Sequence, residues 1–82
     1  REAGEAVATK WADAISAALQ HIGQTPGVGS PRYADILRIA GLRFWAVERF
    51  PYLIFYIEHD TQIDIWRVLH GERDIAARLG TD

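Results

Sequence analysis

The chain has no cysteine and no methionine among its 82 residues. Without cysteine it can build no disulfide scaffold, no thiolate-held zinc or iron–sulfur site and no cysteine nucleophile. Nothing therefore calls for an oxidising compartment, and the expected location is the cytoplasm. Long hydrophobic runs are also missing. The longest, Tyr52–Ile57, has six residues, against the roughly 20 that a membrane-crossing helix requires. No stretch shows the charged, apolar and small-residue order of a signal peptide. Basic excess is absent too: the formal net charge of -2 argues against a strongly basic nucleic-acid binder. Lysine occurs once, at Lys10, while the other eight cations are arginine. Arginine is favoured where a planar group must hold a carboxylate or phosphate in fixed geometry, although a GC-rich coding sequence produces the same bias.

What is present describes a folding chain: 49% hydrophobic residues, 24% charged residues and three tryptophans. This length supports one compact domain, taken as residues 1–82. The chain opens on Arg1, a residue too large to be what initiator trimming normally leaves, so the expectation is a piece of a longer chain.

Residues 2–22 carry a helical pattern, with Val7, Trp11, Ile15, Ala18 or Leu19, and Ile22 at intervals of three and four. This stripe is expected to face the core, and Gly23 with Pro26 to end the helix. Residues 24–31 hold two prolines and two glycines, the composition of a turn. No Gly-Lys-Ser/Thr follows, so a phosphate loop is excluded. Residues 32–39 fit either a short helix or the lead-in to a strand. The period then changes to two. Residues 42–49, 52–58 and 61–69, rich in β-branched and aromatic side chains, predict three strands in an antiparallel meander. The middle one is apolar on both faces, as a central strand would be. His59-Asp60 is a poor two-residue turn, so the second hairpin is expected to have a longer loop. After Gly71 the chain predicts a short helix or turn ending at Gly80. The fold class is α+β: a helix on one face of a three-stranded sheet, with a short terminal helix. One helix covers only part of a twisted sheet, so some apolar surface is expected to need another cover.

His21, His59 and His70 lack zinc-motif spacing, and no Gly-x-Ser-x-Gly elbow surrounds Ser16 or Ser30. No metal and no cofactor are expected. The strongest local constellation is Arg67-Val-Leu-His70-Gly-Glu-Arg73-Asp74. It can either grip phosphate or carboxylate groups or satisfy itself locally, with Arg67 paired to a neighbouring acid such as Asp74 and Gly71 present only for its backbone freedom. The aromatic set Phe44, Trp45, Phe50, Tyr52, Phe55, Tyr56 and Trp66 cannot all face one core, because side chains alternate along a strand. Those on the second face are covered by the tail or exposed as a partner site. Given the acidic balance, a protein partner is favoured over stacked nucleotides, and no sequence-specific nucleic-acid binding is expected.

Gly41-Leu-Arg, Phe50-Pro-Tyr-Leu-Ile-Phe-Tyr and Ile65-Trp-Arg-Val-Leu-His-Gly-Glu-Arg-Asp, preceded by Thr25-Pro-Gly-Val-Gly-Ser-Pro-Arg, resemble the ParE toxins of the RelE/ParE superfamily. The resemblance spans about residues 10–79, and its most specific part is Arg-Val-Leu-His-Gly-x-Arg-Asp. It implies a strand, a helical hairpin and an antiparallel sheet, so a first strand and first helix would precede this chain. It implies the toxin of a bacterial type II toxin–antitoxin system, with a cognate antitoxin as partner and homo- or hetero-oligomers formed with it. RelE-like members are ribosome-dependent endoribonucleases, commonly with a catalytic Arg on the strand matching Tyr52–Ile57. The nearest position here is Leu53, and His70 resembles the terminal-strand histidine of some of those nucleases. ParE-like members trap DNA gyrase by binding, and the sequence matches that branch better. On this reading no residue is catalytic. Arg67, His70 and Arg73, with Trp45, Tyr52 and Trp66, are expected to contact the target or the antitoxin.

Overall fold

The computed structural model describes residues 2–71 and 73–78, with side-chain surroundings for 7–71 and 73–75. Helix α1 spans Glu2–Gln24, a 3-10 turn spans Pro26–Val28 and a short helix α2 spans Ala34–Leu37. Strands β1 (Leu42–Ala46), β2 (Tyr52–Glu58) and β3 (Ile63–His70) follow, then α3 (Arg73–Arg78). The sheet order is β1-β2-β3, and both pairings are antiparallel. This is the expected α+β layout, with β2 in the centre.

Alternation of side chains sorts β2 into two sets, and each nucleates its own core. Ile54 and Tyr56 pack with Ala18 and Ile22 of α1 and with Val47. Phe55 packs on the opposite face with Leu42, Leu69 and Ile75 of α3. Tyr33, Leu37 and Ile39 close this second face, so the segment the sequence left open is a short helix that acts as a lid. A bulge between Phe55 and Tyr56 inserts Trp66 between Ile65, paired with Tyr56, and Arg67, paired with Phe55. Such an extra residue re-aims neighbouring side chains, and the Trp66 ring meets Phe55 edge-on at 5.9 Å.

Several boundaries differ from the expectation for local reasons. Gly23 does not stop α1. The helix runs to Gln24, and the Thr25 N–H still donates to the His21 carbonyl at 3.0 Å before Pro26 ends it. β1 ends at Ala46, not at residue 49, because the turn closes early. The Val47 N–H donates to the Tyr52 carbonyl at 2.9 Å, and Arg49 takes a left-handed φ of 73°. The second hairpin has the longer loop expected of it, closed from the His59 N–H to the Gln62 carbonyl at 2.8 Å. Glu72, Leu79 and the expected stop at Gly80 lie outside the described residues, as does Arg1.

The core stripe of α1 is shorter than its pattern. Ala18 and Ile22 are buried and Ile15 is partly so, whereas Val7 is 58% exposed and Trp11 and Leu19 are each 39% exposed. The sheet covers only part of the stripe: Ala18 and Ile22 lie in the core, Trp11 reaches Tyr52 with its ring 6.2 Å away but stays partly in solvent, and Leu19 sits on the flank of the helix. Ile65 and Val68 of β3, which share a face with Tyr56 and Ile54, are also exposed.

Candidate functional site

The six side chains singled out in the sequence do not form one site. Tyr52 and His70 are cross-strand partners, with their rings 5.6 Å apart and nearly perpendicular. Trp11 adds a third ring, 6.2 Å from Tyr52. Trp45 lies on the same side of the sheet but further along it, tilted against His21 at 4.8 Å. Trp66 belongs to the other face, and the Arg67 guanidinium sits 5.9 Å from the Trp66 ring centroid. The Arg67–Asp74 pair offered as the local alternative is not what forms; Arg67 lies over an aromatic face instead.

Asp74 binds at the β3–α3 junction. Its carboxylate accepts the His70 backbone N–H at 2.8 Å and lies 3.4 Å from the Arg73 Nε. The His70 Nδ1 accepts the Arg73 backbone N–H at 3.0 Å, so this ring edge serves the first turn of α3. His70 and Arg73 thus do come together, with Asp74 as their hinge. The bond from the His70 backbone, followed by those from Arg73, holds the Asp74 carboxyl below the ordinary Asp value of 3.8. A carboxyl depressed on folding contributes stability above its ordinary value, and that contribution is lost as pH falls through the folded value. Acidification through and below the ordinary Asp value of 3.8 is therefore expected to loosen α3, whose Ile75 is seated beneath Phe55 and Leu69. Trp66 fluorescence in wild type and Asp74→Asn would report it. Coincident titration curves for the two proteins would disprove the role given to Asp74.

A second set of polar contacts was not legible as such. The Tyr56 hydroxyl accepts the Gly29 N–H at 2.9 Å and donates to the Pro26 carbonyl. The Arg43 Nη1 donates to the Gly29 carbonyl at 2.6 Å. Ser30 and Phe44 exchange backbone hydrogen bonds at 2.9 and 3.0 Å, so this turn caps the outer edge of β1. The aromatic count included Tyr56, but no local pattern announces a bond to a residue 30 positions earlier. These contacts hold the turn; they assemble no chemistry.

Among the described residues no group of three His, Cys, Asp or Glu is placed to hold a metal ion, and no helix is long and apolar enough to cross a membrane. The surface instead offers aromatic rings beside guanidinium groups, the residue types enriched where proteins bind one another. Comparison with curated proteins and with solved structures gave no match. A family profile described as "ParE toxin of type II toxin-antitoxin system, parDE" matches residues 1–75. That match spans both cores, the bulge and the β3–α3 junction, and on it the chain belongs to the ParE toxin family of type II toxin–antitoxin systems.

Proposed function

We propose that the protein acts by binding: it inhibits DNA gyrase in the cytoplasm, blocks replication, and is neutralised by its cognate antitoxin. The observation that carries this reading is the family match across residues 1–75. The surroundings of two residues support it. On β2, where RelE-like nucleases commonly place a catalytic Arg, Leu53 packs into the apolar cluster of Phe55 and Leu69. At the end of β3, the Nδ1 of His70 is taken up by the Arg73 backbone. Contacts to the target or the antitoxin are assigned to Trp66 and Arg67 on one face of the sheet, to Tyr52 and Trp45 on the other, and to His70 and Arg73 at the β3–α3 junction.

The test runs two assays on the same purified protein, gyrase supercoiling and mRNA cleavage on translating ribosomes. Inhibition of supercoiling alone, weakened at least about tenfold by Arg67→Ala together with Arg73→Ala, is the expected result. Cleavage of mRNA that disappears in His70→Ala would overturn the gyrase reading.

A further inference from the structure

A row of aromatic rings crosses the face of the sheet opposite α1, and a guanidinium closes it at each end. Phe55 stands at the centre, with Tyr33 at the start of α2 on one side at 6.0 Å and Trp66 of β3 on the other at 5.9 Å. The Arg32 guanidinium lies 5.5 Å from the Tyr33 ring centroid, and that of Arg67 lies 5.9 Å from the Trp66 centroid. Both arginines are exposed, and neither is engaged in an ion pair among the described residues. A ring beneath a guanidinium restricts its plane and leaves its N–H edge to solvent. Two such groups are donors set in place for anions.

The net charge of -2 conceals how the charges are shared out. The acids bordering this face are already taken: Asp64 pairs with His59 at 2.9 Å, and Asp74 with Arg73 and the His70 backbone N–H. Asp13 and Glu48 line the cleft on the α1 side of the sheet, while Glu58 and Asp60 belong to the β2–β3 hairpin end. Around the row, Arg32, Arg38 and Arg67 stand against Asp35 alone. The uncommitted charge here is positive.

This geometry suits a phosphate backbone better than a set of bases. The ring faces on which bases would stack are taken, since guanidinium groups cover Tyr33 and Trp66 and Phe55 is fully buried. Tyr33 also meets Phe44 of β1 at 5.4 Å, so the row spans β1 to β3, about 10 Å or two inter-strand spacings. The major groove of DNA is about 12 Å wide.

We propose that this face contacts the backbone of the duplex DNA that gyrase holds, with Arg32 and Arg67 donating to phosphates on the two sides of a groove. The inference rests on the gyrase reading, which supplies the DNA. It adds a second component to the target, the nucleic acid beside the enzyme's own surface. Phosphate contacts carry no sequence information, so no sequence preference is expected.

The experiment measures binding of the whole toxin chain to purified gyrase, without DNA and with a saturating linear duplex. In wild type, DNA is expected to tighten binding about tenfold at about 50 mM salt and to add almost nothing at about 200 mM, the salt dependence of two phosphate contacts. Arg32→Ala with Arg67→Ala is expected to abolish this gain. The gain is a ratio of two affinities of one protein, so lost contacts to the gyrase protein leave it unchanged. Lys10→Ala with Arg49→Gly removes the same charge from the α1 side, with glycine suited to the φ of 73° at residue 49, and is expected to keep the gain within about twofold. Circular dichroism establishes that both pairs remain folded. A gain that persists without Arg32 and Arg67, or that vanishes equally in the control pair, would overturn the proposal. Equal wild-type affinity with and without DNA would overturn it as well and assign both arginines to the gyrase protein. Absence of binding to gyrase in either condition would overturn the gyrase reading and the proposal with it.

Discussion

Phe55→Ala is expected to cost about 3–5 kcal/mol, the largest effect of any single truncation in the sheet. Phe55 is 0% exposed at the centre of the middle strand. Its ring meets Phe44 at 5.6 Å, Trp66 at 5.9 Å and Tyr33 at 6.0 Å, so one deletion takes a partner from three aromatic residues on β1, β3 and the α2 lid. Chains of this length have a total stability of about 4–12 kcal/mol. The loss would therefore remove much of it or all of it. A cavity so placed cannot collapse easily, because the ladder hydrogen bonds of β2 on both sides fix the separation of its neighbours. Urea unfolding followed by tryptophan fluorescence gives the measurement, with Phe55→Leu expected to lose less than about 2 kcal/mol. A loss below about 1 kcal/mol in Phe55→Ala would show that the second face is not a core.

The sheet could be anticipated because it is written in a short-range code. Alternation in the flanking segment Ile63–Trp66, continuous apolarity in Tyr52–Ile57 and short connections specify a central antiparallel strand without reference to anything distant. The helix was legible for the same reason, but its burial was not. The pattern that places Val7 and Trp11 on one line with Ala18 and Ile22 says nothing of how much of that line the sheet covers. The site suffered from a related difficulty. Trp66 and Arg67 are adjacent, and strict alternation would put them on opposite faces. A bulge that no residue type announces keeps both beside Phe55. His70, Arg73 and Asp74 were legible as a cluster because their separations are short, whereas the Tyr56 contacts to residues 27 and 30 positions away were not. Local separations could be read directly; contacts set by the three-dimensional path of the chain required the fold.

Those long-range contacts lead to the second large effect, at Gly29. A Cβ added there would lie 2.3 Å from the Tyr56 hydroxyl oxygen, and 2.9 Å from both the Phe44 carbonyl oxygen and the Tyr56 Cε1. The Tyr56 side chain cannot step aside, since it is 0% exposed and its hydroxyl is bonded to both Pro26 and Gly29. The Phe44 carbonyl is likewise held by the Ser30 N–H. Gly29→Ala is therefore expected to cost about 2–3 kcal/mol through overpacking and to detach the turn from the outer edge of β1. Tyr56→Phe alone is expected to cost about 1–3 kcal/mol, because the buried Gly29 N–H and the Pro26 carbonyl both lose a partner. The two changes act on one contact and should not add. With the hydroxyl removed, the shortest clash of Gly29→Ala disappears, so the double variant is expected to lie at least about 1 kcal/mol above the sum of the single losses. The contacts to Phe44 and to the ring carbon persist, which keeps it below Tyr56→Phe. Urea midpoints for the four proteins of this cycle provide the test, and strict additivity would show that the turn is not latched through the Tyr56 hydroxyl.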